Sequence, residues 1–180
     1  MAFAIVCLGI AASVRAQDAD AQTRAATLRA SVILKIAPYV KVEPAPATPP
    51  AAYRIAVVGS DATATAILAH LPGKKVEAAA VTVQTVDVND AITAKTADQY
   101  DLLYIAESVD AAQLKRILGA HAKRPVVLVC ERAGFANSGG GVQMFVQDNG
   151  IRFEVNIDAL KEKGMRASPQ LLKLSKKGPE

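Results

Sequence analysis

Four short apolar runs recur through the middle of this chain with helix-forming stretches between them, and that alternation limits the fold more than any other feature. Residues 53–58 read as a strand, and Gly59-Ser60-Asp61 supplies the turn and cap of a helix reaching His70. Residues 81–86 form a second strand, followed by a short helical stretch at 91–97. Residues 102–105 are a third, and residues 111–120 a helix with Leu114, Ile117 and Leu118 on one face. Residues 126–130, Val-Val-Leu-Val-Cys, make a fourth strand apolar on both faces. Strands alternating with helices require right-handed crossovers, and a strand apolar on both sides must be covered on both sides. The expected fold is α/β: a mainly parallel sheet with helices on both faces.

After residue 130 the rhythm changes. Residues 142–146 and 151–155 flank Gln147-Asp148-Asn149-Gly150, and Asn-Gly between two strand-like runs predicts a β-hairpin. A short helix over 158–163, ended by Gly164, comes next. Ser168-Pro169 then caps and opens a last helix through Leu171, Leu172 and Leu174. The sheet thus ends in a β-hairpin and C-terminal helices. Before the first strand, Leu28, Val32 and Ile36 recur at four-residue steps, the spacing of an amphipathic helix that Pro38 ends. The proline-rich stretch 38–50 reads as a stiff connection within one domain.

The first residues bear on location. Residues 2–14 are uncharged and mostly apolar, Val14-Arg15-Ala16 places small residues around a cleavage site, and Gln17-Asp18 turns polar. A secretory signal at 1–16, cleaved after Ala16, is expected, with a single domain over 17–180 and a periplasmic address. Thirteen residues are too few to span a bilayer, which takes ~20. Cys7 would leave with the signal, so Cys130 remains alone and no intramolecular disulfide is expected.

Composition narrows the partners. Of 180 residues 51% are hydrophobic and 21% charged, which excludes wholesale disorder. The net charge of +4 is scattered, aromatics are 4% and Trp is absent, so no basic, aromatic-laced nucleic-acid face is expected. Gly59 stands without the further glycines of a dinucleotide fingerprint, and Gly139-Gly140-Gly141 lacks the Lys-Ser/Thr of a P-loop. His70 and His121 sit where helices finish, with no ligand at metal spacing. Ser108, Ser138 and Ser168 have no nucleophile-elbow context. No catalytic residue, cofactor or metal ligand is therefore expected, and the chain reads as a binder rather than an enzyme. One alternative uses the fold itself. Asp61, Glu107 and Glu131 fall at strand C-terminal ends, where open α/β sheets bind ligands, so a small-ligand pocket near Gly59, Asp61 and Glu107 is the second reading. The three carboxylates resemble a receiver pocket, but Glu107 stands at the phospho-accepting position and the later lysine is missing.

The ordered motifs carry the reading further. Gly134-Phe135-Ala136-Asn137-Ser138-Gly139-Gly140-Gly141, then Arg152-Phe153-Glu154-Val155-Asn156, then Ser168-Pro169-Gln170-Leu171-Leu172 resemble the YfiR-type (YfiR/HmsC-like) periplasmic regulators. Residues 26–42, 53–59, 71–76 and 102–105 fall in register with the same family. Where the family often has late aromatics and a Trp before its proline, this chain has Ile36 and Glu43-Pro44. The resemblance implies an exported protein that binds the periplasmic sensor segment of a membrane-bound diguanylate cyclase and represses it, lowering cyclic-di-GMP. It leaves a homodimer open. Phe135 beside the glycine turn (Gly140, Gly141), with Phe153 and Glu154 on the hairpin, are the expected partner-binding residues, because apolar anchors dominate interface energetics.

Overall fold

The computed structural model describes residues 4–48 and 50–179, with side chains from residue 19 onward. The expected export signal at 1–16 lies outside the residues whose side chains are described. Among the described residues, no helix is long and apolar enough to cross a membrane.

The chain runs α1 (Ala4–Ile36), β1 (Val40–Val42), β2 (Ala52–Val58), α2 (Ala62–His70), β3 (Lys75–Val76), β4 (Ala79–Val86), α3 (Val88–Thr93) and β5 (Leu102–Ile105). It continues through α4 (Ala111–Ala120), β6 (Val127–Cys130), β7 (Val142–Gln147), β8 (Gly150–Val155), α5 (Ile157–Glu162), β9 (Met165–Ala167) and α6 (Pro169–Leu174). Seven strands form one sheet in the order β3-β4-β2-β5-β6-β7-β8. The five inner strands are parallel, and β3 and β8 add antiparallel edges. The α/β fold with a mainly parallel sheet, a closing hairpin and C-terminal helices is as expected.

Strand alternation sorts the core into two layers. Ile55, Val57, Leu102, Tyr104, Val127 and Val129 point toward α1 and α2. Ala56, Val58, Leu103, Ile105, Leu128 and Cys130 point toward α3 and α4. From β2 the chain steps outward to β4, then returns to β5 on the other side of β2. The order reverses between β2 and β5, which makes the ends of these strands the topological switch point.

Caps explain where the helices begin. Asp61, Asp110, Asn156 and Ser168 each accept a backbone N–H of the first turn of α2, α4, α5 and α6. Asp110 forms a reciprocal capping box with Gln113.

Four details differ from the sequence reading. The buried stripe of α1 is Ala26, Ala30, Ile33 and Ile36, while Leu28 is 60% exposed. Small alanines let α1 approach α2 closely, so the packed face follows the small residues rather than the largest ones. The helix expected over 91–97 is α3, started by Asp87, and a separate 3₁₀ turn at Ala97–Gln99. The hairpin turn is Asp148-Asn149, both at positive φ, with Gln147 paired to Gly150. It sits one residue earlier than Asn-Gly suggests, because register in the sheet below decides which two residues are left to turn. Finally, β1 and β9 pair in a small antiparallel sheet, Val40 opposite Ala167, which short mixed-polarity runs do not announce.

Candidate functional site

The hairpin β7–β8 stands at the sheet edge and has two unlike faces. Directly opposed pairs point the same way, so Met144 with Phe153 and Val146 with Ile151 share one face. Met144 is buried and Phe153 packs on the core layer beneath α1. Val146, nearer the tip, is 59% exposed. An apolar strip therefore leaves the core and reaches solvent along the hairpin. The other face carries Gln143 opposite Glu154 and Phe145 opposite Arg152.

The glycine-rich turn lies beside that second face, and it is packed rather than presented. Phe135 is 1% exposed and belongs to the α3/α4 core layer. A Cβ on Gly140 would fall 2.2–2.6 Å from three atoms of the Phe135 ring, so the ring sits directly against the Gly140 backbone. A Cβ on Gly141 would come 3.1 Å from the Leu128 carbonyl. Phe135 is not the projecting anchor expected from the sequence: it is buried instead, with the Gly140 backbone against its ring. Asn156 Nδ2 donates to the Ala136 carbonyl at 2.6 Å, and the Ala136 N–H donates to Gln143 Oε1 at 3.1 Å. The turn is thereby fastened to β7 through Gln143 and to the cap of α5 through Asn156.

Residues 175–176 meet the edge of the outer hairpin strand, and residues 178–179 cross the second face of the hairpin to the turn. The Lys176 N–H donates to the Phe153 carbonyl at 2.9 Å, and the Gly178 N–H to Glu154 Oε2 at 2.7 Å. The Pro179 carbonyl accepts from the Gly134 N–H and from Gln143 Nε2, each at 3.0 Å. Of the five expected residues, the structure leaves Phe153 and Glu154 half-buried on opposite faces and places Phe135, Gly140 and Gly141 beneath the surface.

At the switch point, the strand-end carboxylates meet the chain's own donors. Asp61 Oδ1 caps α2 through the Ala64 N–H at 2.6 Å. Its Oδ2 accepts from the Tyr104 hydroxyl and the Glu107 N–H, each at 2.9 Å. Glu131 Oε1 accepts from Thr63 at 2.6 Å and Tyr104 at 3.0 Å. Burial and the two carboxylates push the Tyr104 phenol well above its usual range, so it stays a donor. Arg29 of α1 seals the cluster, its Nε 2.8 Å from Glu131 Oε2. A Cβ on Gly59 would strike Ser108 Oγ and Val109. The Asp61 and Glu131 carboxylates are thus engaged by the chain's own donors, while Gly59 and Glu107 stay exposed. Sequence reading found Asp61 and Glu131 but missed Arg29, Thr63 and Tyr104, since nothing in the spacing brings α1 to a strand end.

A cavity of about 570 Å³ opens between α4, the loop after β6 and α5, with Leu114, Leu118, Phe135 and Lys163 in its wall. Lys163 is 4% exposed and donates to the His121 carbonyl at the end of α4. Burial pushes its ammonium down to about 8, opposed by Glu162. His121 donates from Nδ1 to the Ile117 carbonyl at 3.0 Å and accepts the Tyr100 hydroxyl on Nε2 at 2.9 Å. That tautomer follows from the carbonyl, which can only accept. Burial lowers the His121 pKa, favouring the neutral ring. His70 is exposed at the end of α2, and among the described residues no group of His, Cys, Asp and Glu could hold a metal ion.

Comparison with known proteins gives a family and a fold. A family described as YfiR/HmsC-like matches residues 26–176. No curated protein matches the chain. A solved structure, a conserved domain protein from Vibrio cholerae O1 biovar El Tor strain N16961, is similar with a TM-score of 0.55 at 13% identity. The match covers 83% of this chain and 58% of that one, and at that identity it shows the fold alone.

Proposed function

Because the chain belongs to the YfiR/HmsC-like family, matched over residues 26–176, we propose that it is an exported, non-catalytic regulator of cyclic-di-GMP signalling. On this reading it binds the periplasmic sensor segment of a membrane-bound diguanylate cyclase and lowers the cyclase's output. The family match carries the proposal. The hairpin supports it, because an apolar strip reaching solvent at Val146, beside half-buried Phe153, suits a protein contact. Phe153 and Glu154 are proposed to meet the partner, one on each face. Phe135, Gly140 and Gly141 set the shape of the adjoining turn from below.

Repression would work by population shift: only a difference in affinity for the sensor's two arrangements transmits a signal. A bias of ~1.4 kcal/mol changes their ratio tenfold. Export is proposed to remove residues 1–16, so mass spectrometry of the periplasmic fraction should find Gln17 at the N-terminus. Deleting the gene should raise cyclic-di-GMP and favour attachment over swimming. Val146→Glu should release the cyclase while melting close to the parent chain, because Val146 is 59% exposed, whereas Phe153→Ala should release it at a cost in stability, because Phe153 packs on the core. Unchanged cyclic-di-GMP in the deletion strain, with the cyclase expressed, would overturn the proposal.

A further inference from the structure

The outer hairpin strand, Gln143 of β7 and Gly134 of the turn together hold the backbone of residues 176–179. In order along the bound segment, the Phe153 carbonyl takes the N–H of Lys176, Glu154 takes the N–H of Gly178, and Gly134 with Gln143 takes the carbonyl of Pro179. Upstream, Ser175 Oγ accepts the Val155 N–H at 3.0 Å. The slot also sets a size limit. A Cβ at Gly178 would lie 2.8 Å from Gln143 Nε2, 3.0 Å from Glu154 Oε2 and 3.1 Å from the Phe145 ring. These contacts come from the turn, β7 and β8, so the slot exists only where the three meet. Gln143 is 1% exposed and uses its two ends on different segments, its oxygen on the turn and its nitrogen on the tail.

We propose that this edge is a peptide-binding slot which the chain's own tail, residues 175–179, occupies in cis. The segment it fits is an extended strand with glycine at the position that meets Glu154, the mode in which main-chain hydrogen bonds supply affinity and close packing supplies selectivity. A partner strand of this kind enters only when the tail leaves, so the tail regulates access to the Glu154 face. That regulatory consequence rests on the cyclase-binding reading; the slot itself does not.

The test uses a labelled nine-residue peptide of the chain's own residues 172–180 and the full chain. Gly178→Val in the protein expels the tail, so this variant should bind the peptide at least about tenfold more tightly than the parent, whose tethered tail competes at an effective concentration of about millimolar. The peptide carrying Gly178→Val should not bind, and Glu154→Gln added to the variant protein should weaken binding about tenfold. Equal binding to parent and variant, or none to a variant that melts normally, overturns the slot. Hydrogen exchange on the unaltered chain gives a second readout should the variant fail to fold. The Lys176, Gly178 and Gly134 amides should open together, faster than the Leu128 amide, and exchange only by global unfolding would equally overturn the proposal. No cyclase is present in either experiment, so its failure is distinct from failure of the regulator reading.

Discussion

Arg29 Nε on the N-terminal helix lies 2.8 Å from Glu131 Oε2 at the end of β6, and this contact ties that helix to the strand ends at the switch point of the sheet. The side chains are 21% and 13% exposed, and Glu131 also accepts from Thr63 and Tyr104. At the strand ends where other α/β folds take a ligand, the Glu131 carboxylate is here met by a side chain from a helix that precedes the sheet in sequence.

Removing Arg29 leaves the Glu131 carboxylate poorly compensated. Arg29→Ala should cost about 1–3 kcal/mol, the range for a charge-assisted hydrogen bond in a partly buried site. It should also loosen α1, so that proteolysis in residues 19–30 speeds up. Urea titration within 0.5 kcal/mol of the parent chain, a tolerance of about the size of a surface effect, would show that the pair contributes little.

Gly140 and Phe135 make a matched pair. Gly140→Ala puts a methyl into the ring and should cost about 1–3 kcal/mol by overpacking. Phe135→Leu removes the obstructing edge, so the double variant should cost less than the sum of the single changes, with coupling of about 1 kcal/mol. Strict additivity in thermal melts would mean that the ring does not rest on the glycine backbone.

Lys163 predicts an alkaline signature. Its pKa falls to about 8 on folding, whereas an unfolded lysine holds its proton to about 10.4. Below pH 8 both states are protonated and the buried charge is fully penalised. Between those values the unfolded state binds more protons, so this group adds stability as pH rises. Lys163→Met should remove that increment, and the gap between the two chains' urea midpoints should change from pH 8 to 10. Parallel curves would refute it.

Cys130 should be chemically silent. It is 1% exposed in β6, and burial raises its thiol pKa, which disfavours the reactive thiolate. In the chain beginning at Gln17, an aromatic disulfide reagent should react about a thousandfold more slowly in buffer than in denaturant, which corresponds to opening by about 4 kcal/mol. Prompt reaction in buffer would place the thiol at the surface.

Local chemistry was enough for the elements. Alternating apolar runs separated by Gly, Asp and Pro announce strands and caps because these preferences act over a few residues, and Asp61, Asn156 and Ser168 cap their helices as their types suggest. The ordered motifs after residue 134 were enough for the family. Tertiary structure alone decided what those residues face. Leu28 points outward because alanines let two helices approach. Phe135 is buried with the Gly140 backbone against its ring, and the hairpin turns at Asp148-Asn149 because sheet register leaves those two unpaired. Arg29 reaches Glu131, and Gly178 reaches Glu154, across separations that no periodicity encodes. Burial and partnership are properties of surfaces brought together, and the cost of an uncovered apolar group or an unpaired charge is felt only once the chain has closed around it.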